Sequence, residues 1–248
     1  MGRSSRTRRR LAAAAAAGVL VAAVVGTTGC GPRGRDLQPG RYRAVVELPG
    51  GEVPFGLEVA RDGTGVTLDL VNGGDRVRVP ALVDVTGHLT AELPGQGNRL
   101  DAKVAGDDIE GQVTLSAGPG GAPVTLTFSA ARGAGWRFVE TPRTDNADFA
   151  GRWAVLYSDD SGREIRGVAE FAQRFHAVAG TVRTTGWTVA GLAGDAHDDR
   201  LMLSLFDGTQ AVLYRGELGP GGELVGEAWS TSTGHLRYTA VRNHDATL

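Results

Sequence analysis

Histidine and carboxylate side chains offer this sequence its clearest route to acid–base chemistry or metal binding. The histidines are His88, His176, His197, His235 and His244. No two of them stand at a metal-ligand spacing on one predicted element. Adjacent carboxylates occur at Asp107-Asp108, Asp159-Asp160 and Asp198-Asp199. Neighbouring residues of a strand or turn point apart, so such pairs are poor acid–base partners within one element.

The densest polar cluster is His197-Asp198-Asp199, which we interpret as a hairpin turn rather than a cation site. A Gly-x-Ser-x-Gly elbow, which would present a nucleophilic serine, does not occur in the sequence. Carboxylates on different strands could still converge in the fold. We therefore predict no catalytic residue, no metal, no cofactor and no enzymatic activity.

The first thirty residues have the order of an export signal. Residues 2–10 carry five arginines and no acidic residue, and residues 11–26 are uncharged and rich in alanine and valine. This apolar stretch is shorter than the roughly 20 residues of a membrane span. Small residues at positions 27–29 precede Cys30, so 1–29 is predicted to be a signal peptide. Its adjacent arginines fit either general secretion or twin-arginine export.

Cys30 is the one cysteine of the chain. The segment Thr27-Thr28-Gly29-Cys30 resembles a lipobox, which implies that Cys30 is lipidated and anchors the mature protein to a membrane. A lone thiol is a liability in an oxidising compartment, and lipidation would account for it. The alternative is an ordinary signal peptide with an incidental cysteine. Residues 30–39 are predicted to be a flexible, lipidated tether.

The charge balance excludes one class of partner. The whole chain has a formal net charge of −2, and removal of the five signal-peptide arginines takes it to −7. Lys103 is the single lysine. An acidic surface of this kind argues against nucleic acid as a partner.

After residue 40 the chain alternates short apolar–polar runs with glycine-rich turns, which indicates antiparallel strands. Strings also recur at offsets of 110 to 115 residues. The matched pairs are Gly40–Ala44 with Gly151–Ala154, Leu89–Gln96 with Leu201–Gly208, Ile109–Gln112 with Leu224–Glu227, and Thr127–Arg132 with Arg237–Arg242. This repetition predicts a duplicated β unit.

We therefore predict an all-β protein of two tandem units of about eight strands each. The units span 40–138 and 150–243, with a linker at 139–149 and a tail at 244–248. Each opening Gly-Arg-Tyr/Trp resembles the Gly-x-Trp of lipocalin-like barrels, which implies up-and-down barrels of the lipocalin or avidin type. Two β-sandwiches, or one continuous sheet, are the alternatives.

Aromatic residues are concentrated in the second unit. They either fill its core or line a pocket for a small ligand. For the second case we single out Trp187, Tyr214 and Trp229, with Trp187 beside a turn where a pocket mouth could lie.

Several strings resemble the β-rich region that precedes the thioredoxin domain in TlpA-type thiol–disulfide oxidoreductases. They are Leu70–Pro80, Gly135–Phe138, Gly151–Val155, Glu170–Gln173, Gly180–Val182 and Leu201–Tyr214. Those proteins are exported and often lipid-anchored. The chain departs from them in having no Cys-x-x-Cys, so it cannot itself exchange disulfides. Gln210 stands where they tend to carry histidine, and we add it to the candidate ligand residues.

Together these features predict a non-catalytic lipoprotein of the cell envelope, anchored on a periplasmic or cell-surface face. It would act as a binding or accessory module, with a thioredoxin-like envelope protein as one possible partner. The alternative is a lipocalin-like carrier of a small apolar ligand.

Overall fold

The structure, a computed structural model, describes residues 36–63, 65–116 and 122–248. The predicted signal peptide, Cys30 and the first part of the tether lie outside these residues. Every regular element in the described ranges is a β-strand. No helix in this part of the chain is long and apolar enough to cross a bilayer. The all-β prediction is confirmed.

The first eight strands form a closed antiparallel barrel, barrel 1, in which each strand pairs with the next along the chain. They are β1 (Gly40–Leu48), β2 (Gly51–Asp62), β3 (Gly65–Asn72), β4 (Asp75–Val83), β5 (His88–Glu92), β6 (Arg99–Ala105), β7 (Asp108–Leu115) and β8 (Val124–Arg132). Pairing of β1 with β8, from Tyr42 opposite Arg132 to Val46 opposite Phe128, closes the barrel.

The last eight strands form barrel 2, which is closed in the same way by pairing of its first and last strands. They are β9 (Gly151–Asp159), β10 (Glu164–Arg174), β11 (Ala177–Thr184), β12 (Thr188–His197), β13 (Arg200–Phe206), β14 (Ala211–Leu218), β15 (Leu224–Ser230) and β16 (Gly234–Arg242). The prediction of tandem up-and-down barrels is confirmed, and the sandwich and single-sheet alternatives are excluded. Both barrels belong to one compact unit.

Strict alternation of side chains explains the strands of barrel 1. In β6, Leu100, Ala102 and Val104 are buried, whereas the intervening Asp101 and Lys103 are exposed. Because successive strand residues point to opposite faces, this pattern puts the apolar side chains inside the barrel. Closure pairs every edge strand, so neither barrel leaves an open sheet edge.

The duplication is visible in the way each barrel is closed at one end, which we call its plugged end. Leu37 plugs barrel 1 and is 1% exposed; Phe149 plugs barrel 2 and is 0% exposed. The Tyr42 hydroxyl donates to the carbonyl of Gln38 at 2.7 Å, and the Trp153 indole donates to that of Phe149 at 3.0 Å. The two units therefore build the same plug.

The plugging residues lie within the segments predicted to be the tether, 30–39, and the linker, 139–149. The sequence predicts Leu37 in the flexible tether and Phe149 in the linker, whereas in the structure both side chains lie in barrel cores. The reason is physical: an open barrel end exposes apolar interior side chains, and one large apolar residue covers them. The tether therefore does not extend to Leu37.

The opposite end of barrel 1 contains the β1–β2 and β3–β4 turns, and we call this end of each barrel, opposite the plug, its hairpin end. In barrel 1 it is covered by barrel 2. Phe206, Ala211 and Leu213 lie on the outer face of β13 and β14, and they join the buried cluster of the barrel 1 interior. The ring of Phe206 lies 4.6 Å from that of Phe55, which faces the inside of barrel 1. We call this contact between the barrels the joint.

Candidate functional site

Buried hydrogen bonds hold the joint together. The Arg137 side chain donates from Nε to Ser204 Oγ at 2.9 Å, and from Nη2 to Asn72 Oδ1 and the Ser204 carbonyl at 3.0 Å each. Ser204 Oγ in turn donates to the Pro54 carbonyl at 2.6 Å. Asn72 Nδ2 donates to the Phe206 carbonyl at 2.7 Å. This network ties β2, β3, the segment after β8, and β13 into one polar cluster.

Asp195 fixes the path of the chain between the barrels. It points outward from β12, and its Oδ2 accepts the amides of Phe138 and Val139 at 2.8 and 3.2 Å. His176 Nε2 lies 4.0 Å from the other carboxylate oxygen. Because a buried carboxylate needs hydrogen-bond donors, Asp195 holds this segment close to the outer surface of barrel 2.

The segment and the barrel surface enclose a groove of about 730 Å³, which we call the linker groove. Its wall is formed by Trp136, Arg137, Val139 and Pro142, and its floor by Ala172, Ala177, Ala179 and Ala193. This volume lies within the range of roughly 300 to 1,000 Å³ seen for small-molecule sites.

The floor is flat because alanines face outward from three adjacent strands. Ala172 of β10 pairs with Ala179 of β11, which pairs with Ala193 of β12. Ala172 and Ala179 are exposed and Ala193 is buried, so the part of the row on β10 and β11 is open to an occupant. The β3–β4 turn approaches the same row at Gly73, where an added Cβ would lie 3.2 Å from Ala193 Cβ and φ is +57°. A glycine at position 73 therefore allows the barrels to meet here.

Arg137 supplies a positive charge to the groove. The hydrogen bonds that its side chain donates all reach neutral acceptors on Ser204 and Asn72. Burial lowers the pKa of Arg137 to about 10, although Asp195 acts in the opposite direction. The guanidinium thus stays charged at neutral pH.

Two further cavities adjoin the linker groove. One of about 370 Å³ lies against barrel 1, with Arg43 and Arg76 in its lining, and it shares Trp136 and Arg137 with the groove. The other, of about 440 Å³, continues along β10 to β12 past Thr181. Arg43 stacks over the Trp136 ring at 4.0 Å, which holds that part of the wall in place.

Three of the four residues predicted to bind a ligand meet at the hairpin end of barrel 2. Trp187, Gln210 and Tyr214 line a space of about 30 Å³, which is room for about one water. Trp187 is edge-on to Tyr157 at 5.5 Å, and the Tyr157 and Tyr214 hydroxyls lie 3.3 Å apart. Trp187 also borders a shallow depression of about 560 Å³ on the outside.

Trp229 lies elsewhere. It faces outward from β15, stacks on His235 at 5.3 Å, and packs against the turn of barrel 1, where a Cβ on Gly50 would collide with its ring. The predicted set of ligand residues therefore combines Trp229, which faces outward at the boundary between the barrels, with three residues at the mouth of barrel 2.

The histidines and paired carboxylates are dispersed among hairpins. Asp198 and Asp199 form the turn between β12 and β13, as predicted. His235 lies between Asp160 and Glu227, at 3.2 Å from each. These two carboxylates contact opposite ring nitrogens of His235, and among the described residues no three His, Cys, Asp or Glu side chains are arranged so that they could hold a metal ion.

Sequence reasoning missed the linker groove and the joint, although signals for the joint were present. Asn72, Arg137 and Ser204 each fall in a string that resembled TlpA-type proteins, and the structure brings these strings together. A second signal is the unbroken apolar run Ala211–Tyr214, whose residues are all buried. A strand that is covered on both faces loses its period-two pattern.

No family model matches the chain, and no curated protein matches it. Among solved structures, the chain is similar to the crystal structure of a putative AttH from Nitrosomonas europaea. The alignment has 10% sequence identity, covers 81% of this chain and 91% of that chain, and has a TM-score of 0.18.

Proposed function

We propose that this protein is a membrane-tethered, non-catalytic binding module of the bacterial cell envelope, and that its ligand binds in the linker groove. The observation that carries the proposal is the groove itself. Segments distant in sequence, around residues 73, 137, 175 and 194, converge to form about 730 Å³ of largely apolar space.

Preorganisation supports a binding role. Asp195 accepts backbone amides of the wall, and the Arg137 side chain of the wall is hydrogen-bonded to Ser204. The floor belongs to a closed barrel. A site whose walls are already ordered loses little conformational entropy when it is occupied. Asp195 and Arg137 both make hydrogen bonds that hold the wall in place, which favours binding over catalysis.

The groove is a better candidate than the interior of barrel 2. Tyr157, Tyr214 and Tyr238 fill that interior, with ring centroids less than 6 Å apart in two of the pairs. The space beside Trp187 holds about 30 Å³, so an apolar ligand would have to displace core side chains. The linker groove needs no such rearrangement.

The export signal and the lipobox-like segment support the location at a membrane surface. A thioredoxin-like partner, which the TlpA resemblance implies, stays a prediction. Recovery of a thioredoxin-fold protein from crosslinked envelopes tests it.

A neutral dye tests the groove directly. N-phenyl-1-naphthylamine brightens in apolar surroundings, so its emission should rise on titration with the mature protein. Ala179→Trp places a large ring on the exposed groove floor and should weaken dye binding about tenfold or more. The matched control is Ala60→Trp, which adds the same ring at an exposed position on the outer face of β2 and should bind the dye like the wild type.

Dye binding that is unchanged in Ala179→Trp would place the site elsewhere. Absence of dye binding by the wild type would contradict a preformed apolar groove.

A further inference from the structure

We infer that the linker groove selects molecules that carry a carboxylate on an apolar body, and that Nη1 of Arg137 binds the carboxylate. This inference rests on the proposed function and adds the chemical class of the ligand. It follows from the hydrogen bonds of Arg137, the charges around it and the shape of the floor.

The hydrogen bonds of Arg137 leave one donor nitrogen free. Nε and Nη2 make three bonds to Ser204 and Asn72. Among the described residues Nη1 has no hydrogen-bond partner. It is also not one of the buried polar atoms that lack a partner, so Nη1 is not fully buried. Nη1 is therefore accessible from the space that Arg137 lines, which comprises the linker groove and the adjoining cavity against barrel 1.

The acceptors of Arg137 are neutral, so its charge has no direct counterion. The acidic group whose charge acts on it is Asp195, whose Oδ2 already accepts two backbone amides. A guanidinium that is partly removed from water binds an anion strongly, because charge-assisted hydrogen bonds strengthen as water is excluded. A ligand carboxylate would supply the missing counterion.

Apart from Arg137 and the buried Asp195, which also lines the groove, the charges of the groove lie at its rim and largely offset one another. They are Arg174 and His176 on the basic side and Glu140 on the acidic side. Arg174 and Glu140 are exposed, where screening by solvent and salt weakens their effect. The carboxylate of Asp195 already accepts two backbone amides, so we expect the partly buried guanidinium, with its free Nη1, to select the charge of the ligand.

The floor indicates the rest of the ligand. Ala172, Ala179 and Ala193 form one cross-strand row of roughly 10 Å, of which Ala172 and Ala179 are exposed and Ala193 lies beneath the β3–β4 turn. The row has no side chain longer than a methyl group, so it fits a flat or extended apolar body. A medium-length alkyl chain would cover it.

Three ligands that share one alkyl chain test the inference. Decanoate, decanol and decylamine are each titrated against the complex of the protein with N-phenyl-1-naphthylamine, and displacement of the dye is measured. We expect decanoate to bind about tenfold more tightly than decanol, as a net charged hydrogen bond implies, and decylamine to bind most weakly. Decanol equal to decanoate, or decylamine tightest, would overturn the inference.

A conservative variant assigns the effect to Arg137. Arg137→Lys keeps a positive charge in the joint but replaces the three guanidinium nitrogens with one ammonium nitrogen, which cannot hold the wall and bind a carboxylate in the same fixed geometry. We expect the decanoate-to-decanol preference to fall to about threefold or less. The readout is the ratio of two affinities. A general loosening of the groove would weaken decanoate and decanol binding alike, so it would leave this ratio unchanged. Arg174→Lys is the matched control and should keep the full preference; loss of preference there alone would place the carboxylate at the rim and contradict the assignment.

The two proposals fail in different ways. Dye binding that Ala179→Trp abolishes, combined with no preference for decanoate, removes the carboxylate inference and leaves the groove as the binding site. Absence of dye binding by the wild type removes both.

Discussion

Phe206 is the side chain whose truncation should most directly weaken the joint. It extends outward from β13, is 1% exposed, and lies 4.6 Å from the ring of Phe55 at an interplanar angle of 37°. Phe206→Ala leaves a cavity where barrel 2 covers the open end of barrel 1. The substitution leaves the interiors of both barrels otherwise unchanged.

The expected loss follows from burial. Truncation of a fully buried phenylalanine to alanine costs about 3 to 5 kcal/mol, since apolar transfer energy is lost and a cavity remains. For a domain of about 200 residues this corresponds to roughly 6 to 20 °C in melting temperature. Because the loss falls at the joint, the barrels should also unfold less cooperatively, with a second transition.

Urea unfolding of the mature protein, followed by circular dichroism and tryptophan fluorescence, measures both effects. Phe175→Ala is the matched control, because Phe175 is 68% exposed at a hairpin tip, and it should change stability by about 0.5 kcal/mol or less. A loss below about 1 kcal/mol in Phe206→Ala, with a single transition retained, would refute the idea that this contact joins the barrels.

Three further predictions concern charge and location. Hydrogen bonds from Arg78 and then Arg76 lower the pKa of Asp69, so its stabilising effect is present above about pH 4 and is lost as pH falls through the lower folded-state pKa. Asp69→Asn should be less stable than the wild type near neutral pH. The loss should be only about 1 kcal/mol, because solvent screens both exposed arginines. In unfolding curves measured at acidic pH, the difference in stability between variant and wild type should disappear. Burial raises the pKa of all four tyrosines; stability should thus fall above about pH 10, where unfolded tyrosine ionises, and tyrosinate absorbance from the folded protein at that pH would contradict this. Cys30→Ser should release the protein from membranes, and mass spectrometry of the wild type should find a lipid on Cys30.

The barrels could be predicted because alternation and repetition are local signals. Leu100, Ala102 and Val104 alternate with polar residues, and Gly40-Arg41-Tyr42 recurs as Gly151-Arg152-Trp153. Closure could not be decided from alternation, since a sandwich has the same pattern. The pairing that decides it joins residues about 90 positions apart, as in Tyr42 with Arg132.

The groove could not be predicted because it depends on which outward faces meet. Ala172, Ala179 and Ala193 have no distinguishing pattern in the sequence, and their row exists only in the strand register. Register also explains the separation of the predicted ligand residues. Tyr214 pairs with Ala228, and both face inward. Trp229, which follows Ala228 in β15, therefore faces outward.

Photolabelling tests most directly whether the groove, rather than a barrel interior, is the binding site. A neutral alkyl diazirine is bound to the mature protein, activated by light, and located by peptide mass spectrometry. We expect labels on the wall at 136–142 and on the floor strands at 172–179, with both lost in Ala179→Trp. Labels on the inward-facing residues Val189, Ala228 and Leu236 of barrel 2, in wild type and variant alike, would contradict the account.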